Sequence, residues 1–364
     1  MLDLLSGLRR MLKKRFVSID NTVFRLHWMV TTSILFAFSL VITAKQYVGN
    51  PIECLQMGNT PAGFINLYCW THLTYTIPEA FHKEVGKEVP HPGIDNSKNG
   101  VRKYYAYYQW VCFVLFLQGL LFYAPYYLWS IWEGGLLKAV SLGMHFAIFS
   151  DEERGRKKRI ITDFLVHHLR CHKWYALKYF FCEFLCLINV IGQIFLLDLF
   201  YDGGFMTFGI DVINYYRSNQ TVVNPMVFVF PRMTKCTFRD YGLSGDVQFH
   251  DALCILPLNV LNEKIYIFIW FWFIILAFLT IIVMLARILV LIAPCVRAPM
   301  LHMKCRIVLK EHVNLIVKQT NIGDWFLLYM LSKNLDVVVF REIVGEIAKK
   351  LDNERNGETE YLVT

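Results

Sequence analysis

The stretch YYQWVCFVLFLQGLLFYAPYYLW, Tyr107–Trp129, contains no charged residue. A hydrocarbon core of about 30 Å needs about 20 apolar residues at roughly 1.5 Å rise each, and this run has that length. Tyr107, Tyr108 and Trp110 open it, and Tyr126, Tyr127 and Trp129 close it. Aromatic belts meet the membrane–water boundary at just these two levels. A buried helix of a soluble protein is the alternative, but such a helix normally carries a polar stripe. The run reads as a membrane span.

Outward from it lie three more runs. Trp28–Ala44 is uncharged, and Ile265–Leu285 is the most hydrophobic stretch in the chain. Tyr175–Phe200 is mostly apolar but carries Lys178, Glu183 and Asp198. A charged fraction of only 18% fits a membrane protein. Glu183, Asn189 and Gln193 must face protein or water, with hydrogen bonding between helices their default. The WFWF of Trp270–Phe273 reads as lipid-facing bulk. No small-residue cleavage site follows the first run, so that span reads as an uncleaved anchor.

The expected fold is therefore an all-α membrane protein with four transmembrane helices, at 28–44, 107–129, 175–200 and 265–285. Around them lie an amphipathic segment 1–27, outer loops 45–106 and 201–264, an inner loop 130–174, and a helical region 286–364 with a disordered end. Basic residues set the orientation. Arg9, Arg10, Lys13, Lys14, Arg15 and Arg25 precede the first span, and the run RGRKKR (Arg154–Arg159) lies in the middle loop. The positive-inside rule puts these segments and both termini in the cytoplasm. Read as a nucleic-acid patch, RGRKKR would be out of place in a chain with four spans.

Cysteines test this orientation independently. Of ten, Cys54 and Cys69 fall in one outer loop and Cys236 and Cys254 in the other. Even pairs on the outer side suit disulfides in an oxidising space. Cys112, Cys182 and Cys186 lie in spans, and Cys171, Cys295 and Cys305 on the inner side, where thiols stay reduced. Four cysteines allow three connectivities. Similar chain distance from the membrane favours Cys54–Cys254 and Cys69–Cys236, which would tie the two outer loops together; some β structure is expected in those loops.

YYQWV at Tyr107–Val111, opening a span, resembles the innexin signature, and two cysteines per outer loop match it. QYVGNPIEC, NVIGQ, FPRMTKCTF, CILPLNVLNEKIYIFIWFWFI and IGDWFLLYMLSKNLD extend the resemblance from about Thr22 to about Lys350. The resemblance implies a subunit of a ring-shaped, large-pore channel, an octamer of like or mixed innexins. Two such rings in apposed cells would dock through their outer loops to form a gap junction passing ions and small metabolites. A non-junctional hemichannel and a non-conducting adhesive tetraspan protein are the alternatives.

Several residues are candidates for parts of that machine. Leu4, Leu5, Leu8, Met11 and Leu12 recur at helical spacing among basic residues, which alone describes a helix lying on the inner membrane surface. The resemblance instead folds this segment toward the pore mouth, making Leu2, Leu5 and Arg9 pore-lining candidates. Thr32, Ser39 and Thr43 lie along one helical face. Small-residue helix packing is one reading of that face; the resemblance favours pore lining. Pro125 would kink the second span and is a gating candidate, although Tyr126 follows it where the family often has a basic residue.

Asn219-Gln220-Thr221 is a glycosylation sequon in the second outer loop, and a glycan there would obstruct docking. His167, His168, Cys171 and His172 lack a standard zinc spacing, so no metal or other cofactor is expected. No P-loop, HExxH or G-x-S-x-G occurs, and the spans as drawn hold no histidine, which argues against an enzyme. Partners are then other subunits, an apposed ring and membrane lipid, with no nucleic acid.

Overall fold

The computed structural model describes residues 17–55, 61–96, 100–141, 151–218, 224–242, 244–304 and 309–361. The helices used below are α1 Thr22–Val48, α2 Ala62–Thr71, α3 Val111–Glu133, α4 Asp151–His167, α5 Lys173–Phe200, α6 Phe208–Arg217, α7 Pro257–Ile292, α8 Lys310–Gln319, α9 Ile322–Leu331 and α10 Val337–Tyr361. The strands are β1 Glu53–Cys54, β2 Thr74–Thr76, β3 Lys103–Tyr105, β4 Met233–Tyr241 and β5 Val247–Ile255. Helices α1, α3, α5 and α7 are long and apolar enough to cross a membrane.

These helices outrun the apolar stretches that announce them. α1 begins at Thr22 because the Asn21 side chain caps it, accepting from the Phe24 N–H at 2.6 Å. Its start therefore includes His27, one residue before the stretch drawn as the first span. α7 begins on Pro257, whose missing N–H costs nothing at a helix start, and it ends at Ile292, well past Leu285. α10 runs to Tyr361, beyond Asn353 where composition implies no order.

The chain divides into two compact units: Met1–Val30, Phe122–Ile188 and Phe278–Thr364 in the first, and Thr31–Leu121 and Asn189–Ala277 in the second. In the first unit, α9 is an apolar helix of ten residues buried on nearly every side, far too short to span a bilayer. Its Gly323 lies against the backbone of His172 and Lys173. Any side chain there would collide with main-chain atoms, so only glycine permits the approach. Asp324 completes a capping box with Asn321 and also accepts the Arg170 N–H at 2.8 Å. α10 turns Phe340, Ile343, Val344, Ile347 and Leu351 inward at helical spacing and packs on α4.

In the second unit, a sheet of five strands has the order β1-β5-β4-β2-β3, every pair antiparallel. The first loop supplies β1, β2 and β3, and the second supplies the central pair β4 and β5. Neither loop can form this sheet alone.

Candidate channel elements: a tied head and the helix seams

The sheet register sets Cys54 opposite Cys254, and a disulfide joins them. A second disulfide joins Cys69 on α2 to Cys236 on β4. All four half-cystines sit among Ile52, Ile65, Ala252 and Leu256 in a small apolar core. The sulfurs of Cys54, Cys69 and Cys254 lie close enough to mimic a metal cluster, but oxidised sulfur offers no thiolate to a metal. Phe238 packs edge-on against Phe64 and Tyr68 of α2. The far end of the β4–β5 hairpin leaves Tyr241, Val247 and Phe249 exposed.

Below this head, Thr32 and Ser39 do not face a lumen. Thr32 is fully buried, with its hydroxyl on the Gly119 carbonyl at 3.3 Å. Buried Ser39 donates to the Cys112 carbonyl at 2.9 Å. Both side chains sit in the seam between α1 and α3, where small hydroxyls let helices approach and satisfy themselves on backbone oxygen. They are packing residues, and pore lining is withdrawn for both. Thr43 is exposed and bonds back to Ser39 of its own helix at 2.7 Å. The WFWF stretch is likewise not lipid-facing bulk. Trp270 and Phe273 are buried, Trp270 lies over Gly209 of α6, and the Trp272 indole donates to Thr31 at 2.9 Å.

α1 carries a π-helical segment over Leu26–Thr31, a form frequent at functional sites. It holds His27 buried, with Nε2 2.8 Å from the Thr280 hydroxyl. Glu183 is 3% exposed and Arg287 7%. They meet side by side, Nε to Oε2 at 2.9 Å and Nη2 to Oε1 at 3.1 Å. Tyr179, Phe180 and Phe326 surround the guanidinium. In the second unit, Gln193 donates to Asn189 of its own helix at 3.3 Å, and no bond to a neighbouring helix is seen among the described residues.

The innexin family model matches residues 20–351. The chain is 48% identical to "Innexin shaking-B" of Drosophila melanogaster, over 98% of this chain and 96% of that protein. It is 48% identical to "Innexin inx1" of Schistocerca americana over 97% and 98%, and 44% identical to "Innexin inx2" of Drosophila melanogaster over 98% of each. The chain belongs to the innexin family.

In this innexin Pro125 is buried within an unbroken α3, and the Tyr126 beside it stacks on Trp28 at 4.0 Å. His167 and His168 bond to backbone carbonyls one turn earlier in α4, whereas His172 turns away to Asp324 at 2.9 Å. The three imidazoles do not converge. Leu2, Leu5 and Arg9, and the sequon at Asn219, lie outside the described residues. Sequence reading missed Arg287 because it follows the most hydrophobic run, where a flanking cation looks like an interfacial anchor. An unpaired Glu183 in a neighbouring span was the available signal.

Proposed function

We propose that this innexin forms the gap-junction channel implied by its family: an octameric ring around a wet pore, docked head to head with a second ring and passing ions and small metabolites. The single observation that carries the reading is the disulfide-tied sheet woven from both loops, attached to four membrane-length helices. A docking surface must keep its shape while projecting into water. Two cross-links restrict the unfolded ensemble, by about 2–4 kcal/mol each in typical cases, and so lower the ordering cost of association. Tyr241, Val247 and Phe249 at the hairpin end supply apolar area for that contact.

Both termini, the α4 region and α8–α10 belong to the cytoplasmic side in this reading, with the sheet outside. Leu2, Leu5, Arg9 and the exposed Thr43 border the pore, and Pro125 gives α3 the flexibility for gating. The large exposed apolar residues of α3, among them Phe113, Phe116 and Leu120, meet lipid or neighbouring subunits. Paired cells expressing only this chain, under dual voltage clamp, provide the test. Junctional current with transfer of a small dye supports the channel; adhesion without current would point to the non-conducting reading. Current in single cells alone would mark a hemichannel, which glycosylation at Asn219 favours. Asn219→Gln should then raise junctional coupling.

A further inference from the structure

The four residues before α1, Ser18 to Asn21, are neither helix nor strand, so their backbone polar groups need partners from elsewhere. They find them on side chains of separate elements. Asn334, in the turn after α9, accepts the Ser18 N–H on Oδ1 at 2.6 Å and donates from Nδ2 to the Ser18 carbonyl at 2.8 Å. The Trp129 indole of α3 donates to the Ile19 carbonyl at 2.8 Å. The Tyr179 hydroxyl of α5 accepts the Asn21 N–H at 3.0 Å, and the Asn21 amide donates to Glu183. Asp20, 3% exposed, takes the Trp28 indole at 2.7 Å and Arg25 at 2.6 Å.

We propose that Asn334 and Tyr179 are positioning residues that hold the start of α1 in the conformation seen here, so that the C-terminal helices bias the channel's open–closed equilibrium through Ser18–Asn21. This rests on the channel reading above. These bonds are directional, and those to the backbone of Ser18, Ile19 and Asn21 come from the turn after α9, from α3 and from α5, so shifting any of the three against α1 must break one. The Asn334 amide grips both polar groups of one residue and also donates to the Met330 carbonyl at 2.9 Å, which fixes its own orientation. The strap is therefore the place where motion of the C-terminal region is delivered to a helix that crosses the membrane. A bond made in one gating state and absent in the other shifts their ratio by its net worth.

Tyr179→Phe removes only the hydroxyl that accepts Asn21, and Asn334→Ala removes the grip on Ser18. Tyr175→Phe is the control, since the Tyr175 hydroxyl is buried without a hydrogen bond among the described residues. Full-length variants are compared in paired cells at matched surface density. Tyr179→Phe and Asn334→Ala should each change the ratio of open to closed channels about threefold to tenfold in the same direction, the range of one neutral hydrogen bond. The double variant should change it by less than the product, because both act on one segment. Tyr175→Phe should leave it unchanged. Wild-type ratios in both variants, or equal shifts in the control, would overturn the proposal. If Asn334→Ala is lost from the surface, Tyr179→Phe against Tyr175→Phe decides. A wild type that carries no current would instead sink the channel reading, which keeps the two failures apart.

Discussion

Glu183 and Arg287 are two charges taken out of water, and burial of either alone costs several kcal/mol. Their side-by-side geometry, with Asn21 on the same carboxylate, is what makes the pair tolerable. Arg287→Met leaves an uncompensated carboxylate and should destabilise the protein by about 3–5 kcal/mol, read as loss of thermal stability and of folded yield in detergent. The double variant Glu183→Leu with Arg287→Met should recover most of that loss, since apolar replacement of a buried pair is often neutral. A double variant no better than Arg287→Met would show that the pair does more than satisfy itself. Only half of this was legible from sequence. A carboxylate inside an apolar run demands a partner, but composition cannot say which of the flanking cations turns inward. Thr32 and Ser39 illustrate the same limit. Their spacing marks a face correctly, yet a hydroxyl suits a pore and a tight helix seam equally, and the carbonyls of Gly119 and Cys112 decide.

At the scale of elements, the C-terminal helices hold by apolar packing and close backbone approach, with charge at the margin. Gly323→Ala must push α9 off the His172–Lys173 backbone, and overpacking of this kind costs about 1–3 kcal/mol. It should appear as a lower Tm and faster proteolysis after α7. On α10, Phe340 is 1% exposed, so Phe340→Ala should cost about 3–5 kcal/mol. The ion pairs between α4 and α10 are different. Lys158, hydrogen-bonded to Glu346, has its pKa raised above 10.5; its contribution is complete below that value and fades only as pH rises through the raised one. Asp163, hydrogen-bonded to Lys350, has its pKa lowered below 3.8; its contribution is complete above that value and fades as pH falls through the lowered one. Between about pH 5 and 9 neither changes, and both pairs are exposed enough for salt to screen them. Lys350→Ala should therefore leave Tm within error of wild type at pH 7, and a large drop there would mean the pair is more shielded than its exposure implies. Apolar periodicity in FREIVGEIAKKL announces such a helix, but its partner α4 is rich in Arg and Lys and gives no comparable sign.

At the scale of the whole molecule, the main features were legible because lipid length and oxidising chemistry each leave a mark that does not depend on contacts. Apolar length announces the four long helices, and the placement of cysteines marks which loops are tied. The interleaved sheet was not legible, because β2 and β3 are three residues each, and they join it only through the pairing of β2 with β4. Orientation is the property on which the proposed docking depends, and the free thiols offer a direct measurement. Cys171 and Cys295 are unpaired and exposed and lie in segments assigned to the cytoplasm. Cys112, Cys182 and Cys186 are buried, and the four half-cystines have no thiol to offer. A charged, membrane-impermeant maleimide applied to intact cells should therefore leave this innexin unlabelled. The same reagent after permeabilisation should modify Cys171 and Cys295, identified by peptide mapping, and Cys171→Ser with Cys295→Ser should remove those two modified peptides. Modification of either residue in intact cells would place the α4 region or the C-terminal helices outside, put the cystine-tied sheet in the reducing cytoplasm, and leave two apposed rings with no rigid surface on which to meet.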